Sequence, residues 1–310
     1  MWIPYGLLGP LKAESAPETV RSSAADKAER EFLVGFFVRN PVTQAWEVDV
    51  LLSEGSHSES LELNGAAAVM SLFPNDAGKL DEIIYRVTAT GAEPALDACY
   101  GHVNEQLASW AIRLGRGMAL AGWRIADLKH EARWRCVPFR PSALELKQPI
   151  IEAAPESHQH LMKLYREARN ATAPAWRFLC ATAILKAWHD REEPFAATDT
   201  AAREVGKSRR EHTVSFELLM HSGTATSVSE LRDRPFGELV EYLEPLRQEA
   251  LKEISGSYIG THSADRRTAA FQAELANLAD VCAREVLMEE LSLYRMTAEA
   301  KGLALAPETA

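Results

Sequence analysis

Two arginines bracket a short interruption between two segments of helical periodicity, and they are the first candidates for binding chemistry. Arg169 and Asn170 end one segment, whereas Trp176 and Arg177 follow Pro174 at the start of the next. Guanidinium groups that converge near a helix N-terminus favour an anion, because the helix dipole and the free backbone N–H groups act in the same direction. We therefore name this corner as an anion-binding candidate. An exposed corner whose arginines pair with carboxylates is the simpler interpretation.

His221 is the candidate for acid–base chemistry, since an imidazole exchanges protons near neutral pH. It lies beside Ser222 and Gly223 and shares an apolar stripe with Val214 and Leu218. No carboxylate is placed in the sequence to orient it as a catalytic histidine. We therefore favour a core or capping histidine over a catalytic one, and we keep His221 as a binding candidate.

The sequence contains no motif for nucleotide, metal or nucleophilic chemistry. GxGxxG, GxxxxGK, GxSxG and HExxH are all absent. His158 and His160 are two residues apart, which turns them towards different faces of a helix, so we interpret them as a polar, solvated helix start. The cysteines show no CxxC or Cys/His spacing. We expect no metal and no cofactor, and buried reduced thiols at Cys99, Cys136, Cys180 and Cys282.

Composition indicates a globular protein of one large or two ordinary domains, with 310 residues of which 46% are hydrophobic. The net charge of -10 argues against a general affinity for nucleic acid, because phosphates attract clustered Lys and Arg and repel a net anion. The apolar runs are too short to span a bilayer, and the N-terminus lacks the pattern of a signal peptide. We therefore expect a cytoplasmic protein without a membrane partner.

The first half of the chain has the alternation of β-strands. Phe32, Val34, Phe36 and Val38 alternate, and the Asn40-Pro41 turn then predicts a hairpin with a second strand over residues 46–52. Apolar residues at helical spacing predict a helix between residues 93 and 113. Further strands are predicted at residues 60–64, 83–87, 123–125 and 134–136. This half is therefore predicted to be a mostly antiparallel sheet with at least one packed helix.

The second half has helical periodicity throughout. Pro174 opens a segment that is apolar almost all round as far as Trp188, as expected for the middle of a bundle. We predict three later helices. The first spans residues 211–221, the second follows a cap at Ser229 and is kinked at Pro245, and the third spans residues 265–298.

The fold class is thus α+β, with the mixed sheet domain followed by an all-α helical bundle. We predict an irregular or flexible segment at residues 1–30 and the mixed domain at residues 31–142. A proline-rich linker at residues 143–155 then leads to the helical bundle at residues 156–300, and residues 301–310 form a tail.

Several tryptophan, arginine and proline signposts, taken in order, resemble the MauJ family of methylamine utilisation proteins. They are GWRI at 122–125, RWRCVPFRPS at 133–142, YREARN at 165–170, PAWRFL at 174–179 and the segment 215–223. The resemblance covers most of the chain. It implies a setting among genes for the use of methylamine, beside those for methylamine dehydrogenase and its maturation. It implies no catalytic residue.

The helical half is also loosely similar to the HEPN superfamily of helical bundles, some of which are ribonucleases with Arg, four to six residues, then His. His221 has no arginine at that spacing, because residues 214–216 hold none. Arg124 and His130 match the spacing but fall in the predicted strand region. If the bundle is HEPN-like, we expect its nuclease chemistry to be lost.

These observations favour a non-enzymatic accessory or regulatory protein of methylamine utilisation, whose partners are other proteins of that pathway. Two alternatives stay open: an RNA-processing or nucleotide-binding helical protein, and a cytoplasmic sensor of a small ligand. Nucleic acid is not an expected partner, given the net charge. The long last helix leaves self-association into a homo-oligomer open.

Overall fold

Seven antiparallel strands form one sheet in the computed structural model, which describes residues 11–40, 48, 50–52, 55–136, 156–171, 173–190, 212–255 and 266–300. The strands lie in the order β1-β7-β6-β2-β5-β4-β3. Their bounds are β1 Lys12–Ala13, β2 Arg30–Arg39, β3 His57–Leu63, β4 Ala66–Pro74, β5 Leu80–Ala89, β6 Ala119–Asp127 and β7 Ala132–Cys136. Helices follow in the second half, so the predicted α+β class is confirmed.

The described residues divide into two compact units. One, the sheet unit, comprises residues 11–136 together with residues 266–270. The other, the helical unit, comprises residues 156–255 and 271–300. The predicted linker at residues 143–155 and the predicted tail at residues 301–310 lie outside the described residues.

The hairpin that we predicted after β2 is wrong. β2 pairs with β5 along one edge and with β6 along the other, so no edge is left for residues 46–52. Where residues 50–52 are described, they lie beside the start of β5 instead, with Leu80 N–H donating to the Val50 carbonyl over 2.8 Å. Alternation predicts that a segment is a strand, but the partner of that strand depends on the whole sheet.

Strand β4 was not predicted, although a local signal marks its start. Asn64 and Gly65 form a tight turn between β3 and β4, with φ of 51° and 82°. Asn-Gly is the pair that a two-residue hairpin turn favours, because both positions need positive φ. The alanines that open β4 hide its alternation.

Two helices belong to the sheet unit. α1 (Pro17–Ala25) and β1 are regular elements within residues 1–30, where we predicted an irregular or flexible segment. α2 (Ala92–Leu114) confirms the predicted amphipathic helix, and its apolar face joins the sheet core. Tyr100 on α2 meets Trp123 on β6 edge to face at 6.3 Å.

The helical unit contains α3 (Glu156–Asn170), α4 (Pro174–His189), α5 (Phe216–Ser222), α6 (Phe236–Ile254) and most of α7 (Arg266–Ala300). α4 is apolar almost all round, as predicted, and its buried residues share one cluster with residues of α6 and α7. No helix in the described part of the chain is both long and apolar enough to cross a membrane.

The start of α6 differs from the prediction. Ser229 begins a short 3-10 turn, whereas α6 starts at Phe236 after Pro235, which makes no side-chain capping bond. Pro245 does lie inside α6. α5 starts later than predicted because Ser215 accepts a hydrogen bond from Leu218 N–H and so caps the helix there.

Candidate functional site

The arginines of the predicted anion corner both make internal contacts. Arg169 Nη1 lies 2.6 Å from Asp280 Oδ2 on α7, and the Asp280 side chain is fully buried. Arg177 is buried and donates from Nη2 to the Ala171 carbonyl over 2.7 Å. Asn170 is exposed and Trp176 is half-exposed. The corner therefore exists as a turn, and its guanidinium groups help to hold α3, α4 and α7.

A second polar contact joins α3 to α7. His158 Nε2 lies 3.8 Å from Glu290 Oε2, and both side chains are buried. The prediction of a solvated helix start is therefore wrong for His158, whereas His160 is exposed. About three helical turns separate His158 from Arg169 on α3, and a similar distance separates Glu290 from Asp280 on α7. The two pairs thus fix an antiparallel register between these helices.

His221 lies on the exposed side of α5. Its Nε2 is 3.9 Å from Oε1 of Glu217, one turn earlier, and 56% of its side chain is exposed. Leu218 is buried on the other side of the helix, so of the two roles that we predicted for His221, core or capping, the core role is wrong. Gly223 ends the helix with φ of 82°, the left-handed conformation that glycine favours after a helix.

His212 is a further histidine that a carboxylate orients, and sequence reasoning missed it. Its Nε2 pairs with Glu289 of α7, and both side chains are about three-quarters buried. The imidazole stacks on Phe236 with centroids 5.3 Å apart and meets Trp188 edge to face at 6.0 Å. The His212 carbonyl also accepts from Phe236 N–H over 2.8 Å. Glu289 is 77 residues away in sequence, so no local spacing marks the pair.

The sheet unit holds a dense charged network at one end of β2. Arg30 Nε lies 2.8 Å from Asp127 Oδ2, which also accepts from Ser23 Oγ at 2.6 Å. Hydrogen bonds from Ser23 and Arg30 outweigh the effect of burial and hold the pKa of Asp127 below its usual value. Asp26 pairs with Lys129 and His130, and these contacts lower its pKa well below the ordinary range.

Four arginines share the face of the sheet opposite α2. Leu33 on β2 is opposite Arg86 on β5 and Ala126 on β6. Ala126 is opposite Arg133 on β7, and Arg124 is opposite Arg135. Directly paired residues, and residues two apart on one strand, share a face. We call this surface the arginine face and define it by Leu33, Phe37, Arg86, Arg124, Arg133 and Arg135.

The centre of the arginine face is built around Phe37. The guanidinium groups of Arg124 and Arg135 lie over its ring, at 5.8 and 5.5 Å from the centroid. Arg124 also binds Glu82 through both oxygens, at 2.6 and 2.5 Å. Burial raises the pKa of Glu82, although the bond to Arg124 opposes this shift.

The rim of the arginine face carries positive charge with little neutralisation. Arg86 and Arg133 are exposed, and neither forms an ion pair with another residue in the described ranges. Arg135 is half-exposed, with Glu14 at 4.0 Å. A sequence signal for this face existed, because Arg124, Arg133 and Arg135 occupy the positions of β6 and β7 that alternate with the apolar ones. The strand prediction had used the apolar positions alone.

Arg124 and His130, which match the spacing of a HEPN nuclease, bind different carboxylates. Arg124 binds Glu82, whereas His130 Nε2 lies 2.9 Å from Asp26. Their spacing in sequence therefore reflects two structural contacts. In the residues that the structure covers, no three His, Cys, Asp or Glu side chains group as a metal site.

The fold and the candidate site define an α+β protein of two compact units, with a basic surface on its sheet and internally paired charges in its helices. A protein-family model, described as methylamine utilization protein MauJ, N-terminal domain, matches residues 5–136 of the chain. The chain belongs to the MauJ family, because relatives that carry this name align with 94–98% of its length.

Three curated relatives, each named methylamine utilization protein MauJ, support this assignment. The protein of Methylorubrum extorquens is 41% identical over 95% of this chain and 97% of its own length. The Paracoccus versutus protein is 38% identical over 98% of this chain and 99% of its own. The Paracoccus denitrificans protein is 39% identical over 94% and 96%. No solved structure matches the chain.

Proposed function

We propose that this protein is an accessory protein of methylamine utilisation that acts by binding other proteins of the pathway and does not itself catalyse a reaction. The observation that carries the proposal is the full-length similarity to proteins named for methylamine utilisation. The match extends through both units, so the proposal concerns the chain as a whole.

The contacts of the reactive side chains support a binding role. His212, with its oriented imidazole, packs between two aromatic rings and pairs with Glu289. Asp127 and Asp280 are occupied by arginines of their own units. Burial raises the pKa values of Cys99 and Cys282, which keeps both as neutral thiols and poor nucleophiles. These groups stabilise the fold instead of meeting at one reacting centre.

A growth experiment tests this proposal. Deletion of the gene should impair growth on methylamine as the nitrogen and carbon source and leave growth on succinate with ammonium unchanged. A plasmid copy of the wild-type gene should restore growth. Equal growth of the deletion and parent strains on methylamine, with normal methylamine dehydrogenase activity, would refute the proposal.

We also propose that the protein works in the cytoplasm. Cys99, Cys180 and Cys282 are free thiols buried in the protein, as is usual in a reducing compartment. Cell fractionation followed by immunoblotting tests this, and recovery of the protein in the periplasmic fraction would contradict it.

A further inference from the structure

We propose that the arginine face binds an acidic segment of a partner protein. This inference rests on the proposed accessory function and names the surface that would carry it. The segment would place two or more carboxylates over Arg86, Arg133 and Arg135.

The charge of the surface contrasts with that of the chain. The whole protein carries a net charge of -10, yet four arginines share this one side of the sheet. Glu82 neutralises Arg124, whereas Arg86 and Arg133 have no described acidic partner. A basic surface on an acidic protein directs an anionic partner to one place, because the remaining surface repels it.

Two of the four arginines are also held in position for this task. The Phe37 ring supports the guanidinium groups of Arg124 and Arg135. Phe37 itself lies on β2, which is paired with β5 on one side and β6 on the other. A guanidinium group that is already ordered loses little conformational entropy when it binds a carboxylate. Arginine matches a carboxylate through two parallel hydrogen bonds, which lysine does not.

Three features favour an acidic protein segment over a nucleic acid. The Phe37 ring already lies under two guanidinium groups and is only partly exposed, so it offers little open surface on which a base could stack. Glu82 places a carboxylate within the face. The net charge of the chain repels a long polyanion, whereas a short segment meets only the local positive charge.

A binding assay on the full chain tests the proposal. The probe is a fluorescein-labelled oligo-glutamate peptide, followed by fluorescence anisotropy at low and at physiological salt. The triple variant Arg86→Glu, Arg133→Glu and Arg135→Glu should bind the probe at least about tenfold more weakly. Added salt should weaken the binding of the wild-type protein.

A matched triple variant controls for net charge. Arg21→Glu, Arg113→Glu and Arg116→Glu make the same change at exposed positions on or beside α1 and α2. It should bind within about twofold of the wild-type protein, because it leaves the arginine face intact. Circular dichroism and thermal unfolding check that both triple variants fold.

Two results would overturn the inference. The first is equal binding of the probe by the wild-type protein and the arginine-face variant. The second is tighter binding of a labelled single-stranded RNA than of the peptide, lost in the arginine-face variant, which would assign the surface to nucleic acid.

Complementation of the deletion strain separates this inference from the proposed function. If the deletion strain grows poorly on methylamine and the arginine-face variant restores growth in full, the surface inference fails alone. If the deletion strain grows normally, the proposed function fails, and the peptide assay still decides whether the surface binds an acidic segment.

Discussion

Glu82 lies directly over Gly35 in the centre of the sheet. A Cβ atom at Gly35 would overlap Glu82 Oε1 and approach Cγ of Arg124 to 3.2 Å. Gly35 is paired with Ile84 on one side and with Arg124 on the other. The missing side chain thus provides the space in which Glu82 binds Arg124 through both oxygens.

Substitution Gly35→Ala should lower the free energy of unfolding by about 1–3 kcal/mol, as overpacking does elsewhere. The new methyl group would push the Glu82 carboxylate away from Arg124. Urea-induced unfolding measures the change. In a Glu82→Ala background the same substitution should cost less, since the clash is gone; an equal cost in both backgrounds would contradict this account.

Substitution Asp127→Ala should destabilise the protein by about 3–5 kcal/mol, because it leaves the buried charge of Arg30 without its carboxylate. The Asp127 side chain is fully buried, and that of Arg30 is 4% exposed. Asp76→Ala is the matched control at an exposed position of the same unit, with an expected effect within about 0.5 kcal/mol. Similar effects of the two substitutions would refute the importance of the Arg30 pair.

The stability that Asp127 contributes should depend on pH. Its pKa in the folded protein lies below its ordinary value, so the unfolded chain takes up a proton more readily as the pH falls. The contribution is therefore fully present above about pH 4 and is lost as the pH falls through the folded pKa. Asp26, with its lowered pKa, acts in the same direction.

Urea unfolding of the wild-type protein and of Asp127→Asn, at neutral and at acidic pH, measures this dependence. The difference in unfolding free energy between the two proteins should shrink in acid, because Asp127 is then protonated in both states of the wild-type protein. A difference that stays constant over the whole range would contradict the lowered pKa.

Two histidine substitutions in the helical unit should differ in their effects. His212→Ala should cost about 1–2 kcal/mol, since it removes the stacking on Phe236 and the pair with Glu289. His221→Ala, at an exposed site, should change stability by less than about 0.5 kcal/mol. Thermal unfolding of both variants compares them, and a larger loss for His221→Ala would reverse our ranking of the two residues.

Two arginines on α3 provide a further matched pair. Arg169→Ala removes the 2.6 Å contact with the buried Asp280 and should cost about 3–5 kcal/mol. Arg166, with 70% of its side chain exposed, pairs with Glu167 on the surface, and Arg166→Ala should cost less than about 1 kcal/mol. Equal melting temperatures of the two variants would show that Arg169 is not part of the internal framework.

The sequence by itself determined those elements whose signals are local. The alternation of β2, the periodicity of α2, Pro174 at the start of α4 and Gly223 at the end of α5 each depend on residues within one or two turns. The Asn64-Gly65 turn was a signal of the same kind that we overlooked. Such features are readable because backbone propensity and capping act over a few residues.

The tertiary structure alone decided which of these elements meet. The pairs Arg30–Asp127, Arg169–Asp280 and His212–Glu289 join residues 97, 111 and 77 positions apart. The choice of β5 and β6 as the partners of β2, and with it the arginine face, is likewise a property of the complete sheet. Contacts over such separations depend on which packing of the whole chain buries the most apolar surface and still pairs its buried charges. A short stretch of neighbouring residues therefore cannot show which of these contacts form.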